Sequence, residues 1–369
     1  MSNSEQLVSS FMLMMMPTPL VLPDGWIARS ALQKAIRRGE IDLAGRAARA
    51  LWQTDRAVAW KLLLGIAFED VGVGSVDAVI ATAMACSAKW RKVVGGDAAV
   101  AVAVARMLAS APKNRGTDHL GTAAAGHPDL ADFRTLLRTL AIPHVLGMVK
   151  DTSLPLVERA TAAWNASGVD LWPNRRVGPG DLPALLATYR DLGAPDAVLQ
   201  ATAMALRKVR EPIIVMFPLM VMAAKQGGIV DKPLAAISMA GDVPLCALDV
   251  FTRLGKTAIA QFATTTPSIC AALNDLLPYR LWAKATGFAV FYAEGGLINH
   301  RLEWPGGDAI ERLCIEAELL PIGFPAACIT DFISLVQTEL PRLNAIRMDL
   351  LAMATVGGGH PLYHNRSAS

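Results

Sequence analysis

Apolar residues in this chain recur every three to four positions and seldom alternate, a spacing that admits helices and little else. Leu32 and Ile36, then Leu43, Ala47 and Leu51, then Val58, Leu62 and Ile66, each trace one stripe of a helix with 3.6 residues per turn. The stops agree with the stripes. Gly39 ends a first helix begun near Trp26, and a second covers Asp42 to Trp52. Thr54 or Asp55 caps a third that runs to about Asp70. Ser75 opens a fourth reaching Lys89 or beyond, and Asp97 a fifth ending near Ser110. Five helices on short loops predict a compact bundle.

The same pattern resumes downstream. Leu182–Leu192, Pro195–Arg210, Pro212–Lys225, Pro244–Phe262, Pro267–Leu277, Trp282–Glu294, Gly307–Leu319, Phe324–Leu340 and Leu343–Val356 all read as helix. Several of these open on Pro, which suits a first helical turn. No fixed repeat period links them, so the second half reads as an irregular helical array or two stacked layers. Gly121–Asp129 is Gly/Ala-rich with a His-Pro turn. The stretch 165–182, rich in Gly, Pro and polar residues, is the expected domain boundary. The predicted organisation is therefore all-α: a loose leader at 1–24, a bundle over 25–164, a linker at 165–182, a second helical domain at 183–356 and a tail at 357–369.

Composition supports a folded chain. Of 369 residues, 53% are hydrophobic and 18% charged, which excludes a disordered polypeptide. A mean hydropathy of +0.36 raises the question of a membrane. The longest apolar run, Pro212 to Ala224, falls short of the ~20 residues a spanning helix requires. The apolar stretch at Phe11–Met16 is broken by Pro17, Pro19 and Pro23 and lacks a basic residue before it. A soluble protein with no membrane partner is expected. The five cysteines form no C-x-x-C pair, which points to reduced thiols in the cytoplasm and away from a disulfide framework or a zinc site.

The formal net charge is only +3, yet between Asp24 and Leu120 lysine and arginine exceed the acids by five. Lys34, Arg37 and Arg38, with Arg29, fall opposite the Leu32/Ile36 stripe. Arg46 and Arg49 follow on the second helix, and Arg56 and Lys61 on the third. Long cationic side chains on consecutive helices can meet a phosphate backbone. They can equally be an ordinary solvated face.

Three segments tip that balance. Ser30-Ala-Leu-Gln-Lys-Ala-Ile-Arg-Arg-Gly39, Ile66-Ala-Phe-Glu-Asp-Val-Gly72 and Leu108-Ala-Ser-Ala-Pro-Lys-Asn114 stand in an order and at a spacing found elsewhere. They resemble the helical region that follows the ATPase module in the replication-associated recombination ATPases. That group comprises the MgsA/RarA proteins and the Werner-helicase-interacting ATPases, relatives of clamp loaders. The resemblance covers about residues 26–120. It implies a clamp-loader-collar-like bundle that self-associates into an oligomer and contacts DNA through Lys34, Arg37, Arg38 or their neighbours. It also implies a separately encoded ATPase as partner, because the ATPase module is absent. Glu69, Asp70 and Gly72 match the family's acidic pair, here read as structural: the carboxylates accept hydrogen bonds from the loop Val71–Gly74 or pair with an arginine of a neighbouring helix. Pro112, Lys113 and Asn114 resemble its Pro-Lys-Ser-Asn turn, with the Ser missing and Arg115 following directly.

No other motif specifies a reaction. Gly255-Lys256-Thr257 looks like the end of a phosphate-binding loop, but Val250 stands where that loop needs glycine and the stretch reads as helix. No nucleophile motif appears, and neither a cofactor nor a metal is expected. His360 and His364 lie past a triple glycine near the C-terminus. A competing reading is an enzyme whose site is the Gly-rich loop carrying Glu294, His300, Arg301 and Asp308. A third is an adapter that binds another protein.

Overall fold

The computed structural model describes residues 16–87, 91, 96–170 and 177–356. His360, His364 and the Arg175-Arg176 pair lie outside them. Among the described residues there are eighteen α-helices and two small antiparallel ribbons, so the protein is predominantly all-α. No described helix is long and apolar enough to cross a membrane.

The first five helices lie close to their expected positions: α1 (Gly25–Arg38), α2 (Ile41–Thr54), α3 (Arg56–Ile66), α4 (Val76–Ala85) and α5 (Asp97–Ser110). Local chemistry explains their ends. Asp24 accepts from the amides of Trp26 and Ile27 at 2.8 and 2.9 Å, satisfying donors that the first turn of α1 leaves free. Gly39 closes the helix in the left-handed region, φ 75°, which carries no Cβ penalty for glycine. Asp55 caps α3 through the amide of Val58 at 3.0 Å. Leu32 and Ile36 are fully buried, each contributing about 1.5–3 kcal/mol.

The Gly/Ala-rich stretch is helix up to its His-Pro turn: α6 (Gly116–Gly126) runs into it, ends at His127 and is buried along most of its length. Small residues there let neighbouring helices approach closely. α7 (Ala131–Leu137), α8 (Ile142–Lys150) and α9 (Leu156–Ser167) follow, then α10 (Leu182–Asp191), α11 (Asp196–Leu206) and α12 (Pro212–Ala223). The apolar run at 212–224 is thus a core helix, with Phe217 edge-on to Phe68 at 5.0 Å.

The main hydrophobic core does not break at 165–182. It continues from Leu20 to Leu248, because α9 packs on α6 and α12 while α11 packs on α4. The ends of the expected linker are tied together, Asp181 N donating to Ala166 O at 2.6 Å. The change of core falls near 249–257. A second core, from Ala258 to Ile346, unites α13 (Arg253–Thr265), α14 (Pro267–Asn274), α15 (Trp282–Val290), α17 (Ile329–Thr338) and α18 (Leu340–Val356). Between α15 and α17 lies α16 (Gly307–Leu319), which packs along α6 and so joins the two halves.

One ribbon runs beside the turn that ends α5. β1 (Gly228–Asp231) pairs antiparallel with β4 (His300–Glu303), and Lys113 bridges to Arg301 on the other edge of β4. The second ribbon, β2 (Met239–Ala240) with β3 (Val243–Pro244), is two residues deep. The leader is not wholly loose: Leu20 is buried and its amide donates to Arg46 O at 3.5 Å.

Candidate functional site

The three segments that carry the resemblance meet in space. Helix α1 brings Gln33, Lys34 and Arg37. A single wide turn of π type, Ala67–Val71, follows α3 and rotates Glu69 and Asp70 toward α1. The turn Pro112–Asn114, then Arg115 at the start of α6, closes the third side. Arg37 Nε donates to Asp70 Oδ1 at 2.6 Å and Arg37 Nη2 to Glu69 Oε1 at 2.7 Å. Arg115 Nε reaches the same Asp70 oxygen at 3.2 Å and its Nη2 bonds Asp118. Gln33 Nε2 adds bonds to Glu69 and Asp70 at 2.9 and 3.2 Å. Both guanidiniums stack on Phe291, 5.2 and 4.8 Å from its centroid. Of the two ways expected for the acidic pair to be satisfied, the arginine of a neighbouring helix is the one found.

Backbone proximity makes this possible. A Cβ on Gly74 would lie 2.6 Å from the backbone of Lys113, and one on Gly72, at φ 46°, would lie 2.6 Å from Asn114 O. Asn114 then fastens three strands of chain. Its amide donates to Asp70 O and Val71 O, its Nδ2 to Leu302 O at 2.8 Å, and its Oδ1 accepts from Gly116 N at 2.8 Å. Lys113 is wholly buried, its ammonium on the carbonyls of Ala109 and Ala111 at 2.7 Å. Burial lowers its pKa to about 8.

The cationic face expected on α1 is not a face. Lys34, Arg37 and Arg38 are 2, 2 and 8% exposed. Each grips the second half of the chain: Lys34 pairs with Asp249, which also accepts from Ser30 at 2.8 Å; Arg37 Nη1 donates to Gly295 O at 2.9 Å; Arg38 donates to Ala235 O. The physical reason is that segments 235–249 and 294–303 pack over the side of α1 opposite Leu32 and Ile36. Buried cations persist when paired, as Lys34 and Arg37 are with carboxylates; Arg38 has the Ala235 carbonyl alone, and its Nε is buried without a partner. Arg46 and Arg49 are half-buried and hold the leader, Arg46 through Asp242 at 2.7 Å and Thr18 O at 3.1 Å, Arg49 through Pro17 O at 2.6 Å. Arg29 stacks on Trp26 at 4.5 Å with its Nε buried and unpartnered. Arg56 and Lys61 on α3 remain exposed, with no carboxylate partner among the described residues.

The residues proposed for an enzyme site scatter. Glu294 turns inward to the fully buried Arg347 at 2.8 Å, on a second π-type turn, Phe291–Gly295. His300 Nδ1 lies 2.5 Å from Asp231 on the outside of the ribbon. Arg301 bonds Glu311 at 2.6 Å, with the exposed Asp308 4.0 Å away. Arg301 and Asp308 share a recess. Gly255-Lys256-Thr257 lies in α13, where Thr252 Oγ1 caps Gly255 N at 3.1 Å.

Sequence reasoning missed the layer below. Asp118 and His119 on α6 meet Cys314 on α16, with one oxygen, nitrogen and sulfur within 4.8 Å of one another. Such a donor set suits a transition metal. Its surroundings do not: Arg115 already occupies Asp118, and the guanidiniums of Arg115, Arg301 and Arg37, which together with burial hold His119 well below its ordinary pKa, would repel a cation. Burial also raises the Cys314 thiol, and neighbouring Asp118 and Glu318 add to it. We assign no metal to these residues. Beneath them Tyr292 donates to Glu318, which burial pushes up to about 7, while burial and Asp70 raise Asp118 against the pull of Arg115 and Arg37. Residues separated by nearly two hundred positions leave no local spacing by which they could have been found.

Comparison with protein-family models, with curated proteins and with solved structures returned no match.

Proposed function

We propose that the chain is a helical assembly module of the kind that accompanies the replication-associated recombination ATPases. In this reading it self-associates and engages nucleic acid or the replication and repair machinery in the cytoplasm, beside a separately encoded ATPase. One observation carries the reading: Arg37 and Glu69-Asp70, from the first two segments that resemble the family, share an ion network with Arg115, directly after the third, whose Asn114 amide donates to Asp70 O. Matches arising by chance have no reason to converge, whereas a shared architecture requires it.

The contacts are reassigned. Phosphate contact falls to the exposed pair Arg56 and Lys61 in place of Lys34, Arg37 and Arg38. Self-association falls to apolar side chains left in solvent near the start of the chain, Val21, Trp26 and Ile41, since the inner stripes of α1 to α3 are spent on the protein's own core. Light scattering across a concentration series, with a DNA titration at several salt concentrations, tests the proposal. It expects a concentration-dependent oligomer and an affinity that falls steeply with salt and with Arg56→Glu/Lys61→Glu. A monomer at every concentration that ignores DNA and RNA overturns it.

A further inference from the structure

Beside the ion network lies a recess of about 260 Å³ between α6, α16 and the β1–β4 ribbon. Its lining is unlike the rest of the surface. Arg115, Lys232 and Arg301 line it with Glu311 as the carboxylate on its wall, Arg115 being already committed to Asp70 and Asp118. Gly116 and Gly307, the first residues of α6 and α16, also reach it. Their own amides are taken, Gly116 N by Asn114 Oδ1 at 2.8 Å and Gly307 N by Trp304 O at 3.0 Å, but the positive ends of both helix dipoles meet at this one place. One further polar group awaits a partner there: the indole N–H of Trp304 is buried with no acceptor, and His119, 5% exposed, lines the recess beside it. A buried donor without an acceptor costs about 1–3 kcal/mol, which an acceptor entering the recess would offset.

We infer that this recess binds a small phosphate ester, with Arg301, Lys232 and the Trp304 N–H holding the phosphoryl oxygens. Charge and donors select an anion with several acceptor oxygens. Size selects a small one, since drug-sized ligands fill roughly 300–1,000 Å³. Arg301 offers a planar fork suited to paired phosphoryl oxygens, and Lys232 a point charge. Their carboxylate partners, Glu311 at 2.6 Å from Arg301 and Glu303 at 2.6 Å from Lys232, keep the empty recess from carrying unpaired cations and moderate its affinity. Neutral His119 contributes one donor without adding charge. The inference is independent of the oligomeric state and of Arg56 and Lys61.

Isothermal titration of the full chain with inorganic phosphate, ribose 5-phosphate and ribose tests it. Saturable binding of phosphate and ribose 5-phosphate but not ribose is expected. Trp304→Phe, which keeps an aromatic ring and deletes the donor, and Arg301→Gln should each weaken it about tenfold or more. Lys232→Gln, at a half-exposed position outside the core, gives the same direction without touching the fold; unchanged circular dichroism and melting of all three variants guard against unfolding. An oligonucleotide with a 5′-phosphate, set against its 5′-hydroxyl twin, separates the sources: equal, weak binding of both strands supports a free ester, and a 5′-phosphorylated strand that outcompetes ribose 5-phosphate overturns that assignment. Absence of saturable phosphate binding at millimolar concentration, or variants that bind as the parent does, overturns the site.

Discussion

Replacing Arg37 by methionine separates a structural arginine from a DNA-contacting one. The side chain gives up bonds to Asp70, Glu69 and Gly295 O, and Asp70 retains no solvent contact at all. Removing one partner of a buried ion pair typically costs about 3–5 kcal/mol, and stranding a carbonyl about 1–3 kcal/mol. These costs overlap, and Arg115 still reaches Asp70 at 3.2 Å, so the expected loss is about 4 kcal/mol. That is a large part of the roughly 5–15 kcal/mol by which domains are stable. With a urea slope of about 1–3 kcal/mol/M, the midpoint should move by about 1 M or more. Asp70→Asn and the double variant complete a cycle, with coupling of at least about 1 kcal/mol expected because the partners touch. DNA affinity, measured below the transition, should stay within about twofold of the parent, since Arg37 faces the interior. A loss of stability under about 1 kcal/mol together with a large drop in DNA affinity would refute the placement of Arg37 inside the seam.

Other expectations arise from the same network. Glu318 has a folded pKa of about 7, above its unfolded value near 4.5. Its stabilising contribution is full below the unfolded value and lost as pH rises through 7; about 2 kcal/mol should disappear from about pH 5 to 7.5, and Glu318→Gln should flatten the slope in urea titrations. Lys113 has the opposite sign. Its folded pKa is lowered to about 8, so the unfolded chain binds more protons from there to about 10.5 and stability should recover over that range. Gly74→Ala drives a Cβ to 2.6 Å from the Lys113 backbone, which cannot swing aside, and should cost at least about 2 kcal/mol by chemical denaturation. Arg49→Ala unbinds the carbonyls of Met16 and Pro17 and should speed hydrogen exchange over 18–22 about fivefold, with the melting point nearly unchanged.

What was legible in the sequence was local. Trp26 and Gly39 bracket α1 within a turn of its ends, and Asp97 and Ser110 bracket α5, so their meaning needs no distant neighbour. The burial of Lys34, Arg37 and Arg38 was not legible. A charged stripe opposite an apolar one reads as solvent-facing, and only chain some two hundred residues away covers it. The π-type turns at Ala67–Val71 and Phe291–Gly295 escaped for a related reason. Their residues fit an ordinary helical pattern, and the extra residue per turn is stabilised by what Glu69, Asp70 and Glu294 then bind. The ribbon at His300–Glu303 is four half-buried residues with no strong alternation, and its pairing with Gly228–Asp231 spans some seventy positions. The Asp118–His119–Cys314 cluster and the phosphate recess belong to that class, assembled by the packing of α6 on α16.

The bond from Arg37 to the carbonyl of Gly295 joins residues 258 positions apart. During synthesis Arg37 can meet Glu69 and Asp70 soon after they emerge, but the Asp249 partner of Lys34 and the Gly295 carbonyl follow only some two hundred residues later. Such distant closure slows folding and lengthens the time apolar and charged surfaces stay exposed together. A nascent chain stalled before Asp249 should therefore be held by chaperones or degraded, and the protein's yield in a cell should depend on how quickly translation delivers segments 235–249 and 294–303.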